Sequence, residues 1–250
     1  MKTTININGK DYITDLSKTL DISIPLQNKK GALAWYVKNP LIEPVVIGDF
    51  VGSVKKGAST NFNKITFYPH ANATHTECVG HITKEFYSVN KLLKKHFYVA
   101  ELITVAPKKK GSDCVITKFQ VKEAIKHKNL EALIIRTLPN TKEKLQKNYS
   151  NSNPPYLLEE TAVYLKEIGI KHLLIDLPSV DKEKDEGKLV AHKAFWNFGS
   201  NPRLDATITE FIFVDNAIKD DLYLLNLQIA SIENNATLSK PVLYKLKSHF

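Results

Sequence analysis

YPHANATHTECVGHI, residues 68–82, gathers three histidines, a glutamate and a cysteine between His70 and His81. It lies between segments rich in β-branched and aromatic residues, so it is read as strand. On a strand, alternate side chains share a face. His75 and Glu77 are two apart, and an imidazole and a carboxylate at that spacing suit one divalent ion. His81 follows Gly80, where the chain is free to bend and return a third nitrogen toward the same point. His70 is five positions before His75, and strict alternation aims it at the opposite face. It joins the others only if a bulge or turn re-aims it, which Pro69 and Asn72 favour. Short His/Glu spacings also arise by chance, so ordinary polar strand residues stay open as the alternative.

Outward from this stretch, the first half of the chain reads as β. TTININ (3–8) and DYITDL (11–16) flank Gly9-Lys10, a hairpin signal. VVIGDFVGSV (45–54), NKITFY (63–68), HFYVAELITVA (96–106) and DCVITKF (113–119) are further strand candidates. Two helix-then-strand units follow. FQVKEAIKHKN (119–129) puts Val121, Ala124 and Ile125 at helical spacing before the apolar LEALIIRTL (130–138). LEETAVYLKEIG (158–169) has acidic residues in its first turn and Gly169 as a C-terminal cap. IKHLLIDLPSV (170–180) then delivers Asp176, Ser179 and Asp181 at the carboxyl end of a strand, a common place for functional groups. LVAHKAFW (189–196) reads as a short helix carrying His192. ATITEFIFVD (206–215), carrying Glu210, and LYLLNLQIASI (222–232) read as strands. NYSNSNPP (148–155) is a surface loop within one α/β domain spanning 1–250.

Composition narrows the function classes. With 250 residues, 43% hydrophobic and 24% charged, the chain is an ordinary globular one. No apolar run of the ~18 residues needed to span a membrane occurs. The N-terminus lacks a signal-peptide apolar region, which leaves a cytoplasmic location as the expectation. The net charge of +9 is carried almost wholly by lysine, with only Arg136 and Arg203 as arginines. Base and phosphate readout draws on arginine forks and interleaved aromatics, so nucleic acid is not the expected partner. Cys78 and Cys114 form no disulfide framework, and Cys78 is read as a small buried residue beside the site.

Taken together, Asp15-Leu16-Ser17, Thr74-His75-x-Glu77-x-x-x-His81, IDLPSVD (175–181), AHKAFW (191–196) and ITEF (208–211) resemble, in order, the metal-dependent cyclase family. That family includes bacterial kynurenine formamidase and isatin hydrolase, and its hallmark is H-x-G-T-H-x-D-x-P-x-H. The resemblance implies an α/β fold described as a swivelling β/β/α domain with a β-barrel-like core. It implies zinc or manganese, a homodimer or homotetramer, and a small-molecule substrate, with no membrane partner. His75 and Glu77 would be metal ligands, His81 the catalytic histidine, and His192 and Glu210 a pair completing a second metal position or meeting substrate. Its implied chemistry is hydrolysis of an aryl formamide such as N-formylkynurenine, or next a cyclic amide or lactone. A catalytically silent, metabolite-binding relative is the contrasting expectation.

This sequence departs from the hallmark in three places. Ala71 stands where the first histidine belongs, with His70 one position earlier. Glu77 replaces aspartate. Ala73 replaces glycine, and Gly80 follows the usual proline position. Trp35 and Trp196 are candidates to line an aromatic-substrate pocket, although large aromatics more often fill cores. Asp176 and Asp181 read as orienting residues or strand-end caps. Ser179 lacks a G-x-S-x-G elbow and is not a nucleophile. His96, His127, His172 and His249 read as surface or packed histidines.

Overall fold

In the computed structural model, which describes residues 1–199 and 201–248, the N-terminal run forms the expected hairpin. Strand β1 (Lys2–Ile7) pairs antiparallel with β2 (Lys10–Asp15). The turn is one residue earlier than expected. Asn8 and Gly9 both have positive φ, 51° and 80°, which a two-residue type I′ turn demands and which Asn and Gly accept most readily.

Next along the chain come an edge strand, four strands of a barrel and three helices: β3 (Leu20–Asp21), β4 (His75–Cys78), β5 (Phe97–Val105), α1 (Lys118–Ala124), β6 (Ala132–Thr137), α2 (Glu159–Glu167), β7 (His172–Ile175) and α3 (Val190–Phe195). Strands β8 (Thr207–Glu210), β9 (Leu222–Ile229) and β10 (Ala236–Lys245) complete it. The order is β9-β5-β6-β7-β8-β4-β10, and β10 pairs back onto β9 to close a barrel of seven strands, with β3 added on the edge of β10. Strands β5 to β8 run parallel because α1, α2 and α3 each carry the chain back before the next strand. A Thr117–Gln120 capping box starts α1. Gly169 follows α2 with φ 86°, and its N–H bonds the Lys166 carbonyl.

Alternation divides the side chains into two layers. Leu102, Ile134, Leu174, Leu225 and Leu243, from β5, β6, β7, β9 and β10, share one cluster in the barrel interior. Ile103, Leu133, Ile135, Ile175 and Ile208 point outward and pack under Val121, Leu165, Ala191 and Phe195 of the helices. Cutting a fully buried side chain such as Ile134 to alanine costs ~2–5 kcal/mol.

Two readings change. VVIGDFVGSV is not one strand but a tight hairpin, Val46–Ile47 against Phe50–Val51, turning at Gly48 with φ 55°. Strand β10, in ATLSKPVLYK, is not among the strands read from sequence, and it contains Pro241. The Pro241 carbonyl accepts the Ile22 N–H, so its missing donor faces the same side. There it falls in the gap between β4, paired at 236–238, and β3, paired at 242–243. No helix among the described residues is long and apolar enough to cross a membrane.

Candidate metal centre

Glu210 ends β8 and lies opposite His75 on β4, while Glu77 lies opposite Ile208. Because Ile208 belongs to the outer layer, His75, Glu77 and Glu210 stand on the barrel's outer wall and not in its lumen. On the other face Thr76 and Thr209 bond hydroxyl to hydroxyl at 2.7 Å. Phe211, at φ 56°, breaks β8 right after Glu210. The Thr74 hydroxyl donates to the Phe211 carbonyl and accepts from the Ile24 N–H at 2.7 Å. One hydroxyl thereby fastens the start of β4 to the end of β8.

Helix α3 lays His192 across the carboxylates. Its Nε2 is 3.0 Å from Glu77 Oε1 and 3.8 Å from Glu210 Oε1. Asp181 holds this helix in two ways. Its carboxylate accepts from the Ala191 and His192 N–H groups at 2.7 and 3.0 Å, and its Oδ2 is 2.6 Å from His192 Nδ1. Asp181 is therefore both cap and orienting residue.

His70 is not on a strand. Residues 69–71 form a turn, and β4 begins only at His75, so the alternation argument does not apply to it. The turn brings His70 Nδ1 to 2.9 Å from Glu77 Oε2, and its ring stacks on that of His81 with centroids 4.1 Å apart. His81 ends a 3-10 turn, Val79–His81, with Nε2 3.9 Å from Glu77 Oε2. Gly80 is required there because a Cβ would collide with the Tyr87 carbonyl. The donor atoms fall into two triads sharing Glu77: His75, Glu77 and Glu210, and His70, Glu77 and His81. His192 belongs to neither; it flanks them.

The chemistry of the first triad fits a cation. His75 is fully buried, and its Nδ1 lies 3.3 Å from the Ala73 carbonyl, which can only accept. The proton is therefore on Nδ1, and Nε2 carries a lone pair. That Nε2 has no hydrogen-bond partner, yet it sits 3.3 Å from Glu210 Oε2, another lone-pair atom. A buried acceptor facing a carboxylate oxygen is costly unless a proton or a metal ion lies between them, and this pair can hold either.

Ionisation in the metal-free site follows the same geometry. Burial, then the nearby Glu77 charge, pushes Glu210 well above the usual carboxylate range. Burial also opposes charge on Glu77, but His81, His192 and His70 around it hold it well below that range. Burial would neutralise His192, yet Asp181 and Glu77 outweigh it and keep the imidazolium, raised well above its ordinary value. Burial lowers His75 to about 4 and His81 to about 4. Burial raises the Cys78 thiol to about 11, so it is neither a thiolate nucleophile nor a ready ligand.

The Cyclase family model matches residues 15–182, from the Asp15 of DLS through the stretch carrying His70, His75, Glu77 and His81 to the residue after Asp181, with Glu210 beyond it. The chain belongs to the Cyclase family. Among curated members, the kynurenine formamidase of Bacillus thuringiensis (strain Al Hakam) is 27% identical over 218 residues, covering 86% of this chain and 91% of its own. Solved structures are similar over most of the chain. An isatin hydrolase bound to the product analogue thioisatinate has a TM-score of 0.63 at 14% identity, covering 92% of this chain and 93% of that one. A structure described as a novel cyclase has a TM-score of 0.66 at 14% identity, covering 93% and 90%. These confirm the mixed α/β barrel architecture for this Cyclase member.

The remaining candidates divide. Trp35 reaches the site's edge, where its Nε1 donates to the His70 carbonyl at 3.0 Å. Trp196 is fully buried, donates to the Ala206 carbonyl and stands behind His192 with ring centroids 5.3 Å apart. Asp176 binds Lys144 and the Thr137 N–H, tying strand ends together away from the triads. Ser179 accepts from the Asp181 N–H in a local turn. His96, His127 and His172 sit by the Leu227 carbonyl, Glu101 and Thr207 and join neither triad. His249 lies outside the described residues. Sequence reasoning missed Asn235, whose Oδ1 is 2.8 Å from His70 Nε2. A lone asparagine 165 positions from His70 gives no local signal.

Proposed function

We propose that this Cyclase-family chain is a metal-dependent amidohydrolase that splits an aryl formamide, with N-formylkynurenine the first substrate to test. The observation that carries the reading is the buried, unpartnered Nε2 of His75 facing two carboxylates, in a chain similar to kynurenine formamidases along most of its length. His75, Glu77 and Glu210 would hold a divalent ion, zinc first and manganese second. His70 would join through Glu77, with His192 alongside. When bound, the ion supplies positive charge that polarises a substrate carbonyl oxygen and makes water a stronger acid.

The chain's own groups do the rest. His81 is neutral at working pH, since burial lowers it to about 4. Its side chain is 29% exposed, against 2% for His192. Its Nε2 can take a proton from the attacking water and return it to the leaving nitrogen, so that formate and an aromatic amine result. His192 already carries its proton between Asp181 and Glu77, and so serves as a fixed positive charge and not as the base. Trp35, at the edge of the His70 turn, supplies an apolar surface for an aromatic ring.

Supporting a homodimer or homotetramer, the arm at 46–68 exposes large apolar side chains, among them Val46, Ile47, Phe50, Phe62 and Ile65. A single domain over 1–250 and a cytoplasmic location complete the proposal, the latter supported by two free cysteines. The test is turnover of N-formylkynurenine by protein loaded with zinc or manganese. A cyclic amide such as isatin is the second substrate, favoured by the likeness to an isatin hydrolase fold. Protein that takes up no stoichiometric ion would point instead to the silent, metabolite-binding alternative.

A further inference from the structure

His70 is held by a turn, and a turn does not aim a side chain as a strand does. Its carbonyl accepts from Trp35, its ring rests on His81, and its Nδ1 approaches Glu77 Oε2 at 2.9 Å. That separation lies within the span of two ~2.1 Å bonds to a shared ion. The ring's other nitrogen, Nε2, is 2.8 Å from Asn235 Oδ1. Both ring nitrogens therefore face oxygen acceptors, so an ion shared with Glu77 must displace the Nδ1 proton while the Asn235 side keeps the proton on Nε2.

Asn235 is itself firmly placed. Its carbonyl accepts from Cys78 N–H at 3.0 Å, and the next residue, Ala236, stands in register with Glu77. Just before it, the Asn234 carbonyl accepts from Val89 N–H at 2.9 Å, and Asn234 Nδ2 donates to the Ala236 carbonyl at 3.0 Å. The backbone that carries Asn235 is thus tied to the strand that carries Glu77, and the amide meets His70 at a set point between them.

We propose that Asn235 is a positioning residue: its side-chain carbonyl accepts the Nε2 proton of His70 and so presents the Nδ1 lone pair to an ion shared with Glu77. Outer partners of this kind fix the tautomer of ligating histidines and raise their donor strength. This replaces, by a hydrogen bond from a distant loop, the aim that the shifted position of His70 has lost. The opposite amide orientation would offer an N–H to Nε2, leave the proton on Nδ1 and close that nitrogen to a metal. The inference rests on the metal-hydrolase reading of the site.

The experiment is zinc titration of wild type, Asn235→Ala and Asn235→Asp by calorimetry, with ¹⁵N-histidine NMR of the zinc-loaded proteins. Expected is a loss of about 10–100-fold in zinc affinity for Asn235→Ala. Asn235→Asp, which keeps an acceptor oxygen, should retain most of the affinity. The His70 signals of loaded wild type should show Nε2 protonated and Nδ1 shifted by the ion. Equal zinc affinity in wild type and Asn235→Ala, or a proton on His70 Nδ1 in loaded protein, overturns the role of Asn235 alone. Wild type that binds no zinc overturns the site reading and this inference with it.

Discussion

The deep wall and the rim of the site are built in different ways. His75, Glu77 and Glu210 stand on paired strands and are almost wholly buried; His70 and His81 stand on turns, with side chains 27% and 29% exposed. On the wall, register alone sets the separation and direction of the donors. On the rim, other side chains must do it: Trp35 and Asn235 for His70, and the absence of a side chain at Gly80 for His81. The difference teaches that the wall should decide whether an ion binds, and the rim how well it is used.

The largest expected effect comes from Glu77, the one residue in both triads. Glu77→Ala should abolish stoichiometric metal and with it turnover, and should weaken the metal-free fold by ~3–5 kcal/mol, since charged His192 loses a buried partner. Elemental analysis and denaturant unfolding check both. Next, His81→Ala should lower kcat by ~10²–10⁴ while metal content stays at the wild-type level. Metal loss in that variant would move His81 from the rim's chemistry to the wall's.

Asp181→Asn, which removes a buried charge holding both His192 and the start of α3, should cost about 1.5–3 kcal/mol in denaturant unfolding. The pH dependence of metal-free stability follows from the same groups. His192 binds its proton more tightly folded than unfolded, so its contribution is full below about 6.5, its ordinary value, and is lost as pH rises through the raised value. Glu210, also raised, acts in the same direction from 4.5 upward. Asp181, lowered, acts oppositely, contributing above 3.8 and losing that as pH falls through its depressed value. Metal-free protein should therefore unfold more easily at pH ~9 than at pH ~6, and bound metal should reverse the trend because its ligands must be deprotonated. A metal-free midpoint that climbs with pH would count against the charged His192. The smallest effect is reserved for Trp35→Phe. Loss of its bond to the His70 carbonyl should cost about 1 kcal/mol, read as a several-fold rise in KM.

The two halves were read by different routes. His75 and Glu77 obey the two-residue period of a strand and His81 follows the bend at Gly80, whereas Glu210 sits in a strand that pattern reading finds but was placed in the site only by the family resemblance. His70 was read as reaching the site only through a bulge or turn, and it stands in the turn at 69–71, before the strand begins. Strand β10 was not read from sequence, and the place of its Pro241 in the gap between β4 and β3 is set by tertiary pairing. Asn235 is likewise set by a partner far along the chain.

The most direct measurement is anomalous diffraction from crystals grown with zinc, collected above and below the zinc edge. The expected result is an anomalous peak within ~2.0–2.2 Å of His75 Nε2 and of oxygens from Glu77 and Glu210. Water in that space, with His75 and the two carboxylates turned away from one another in zinc-saturated crystals, would contradict the account.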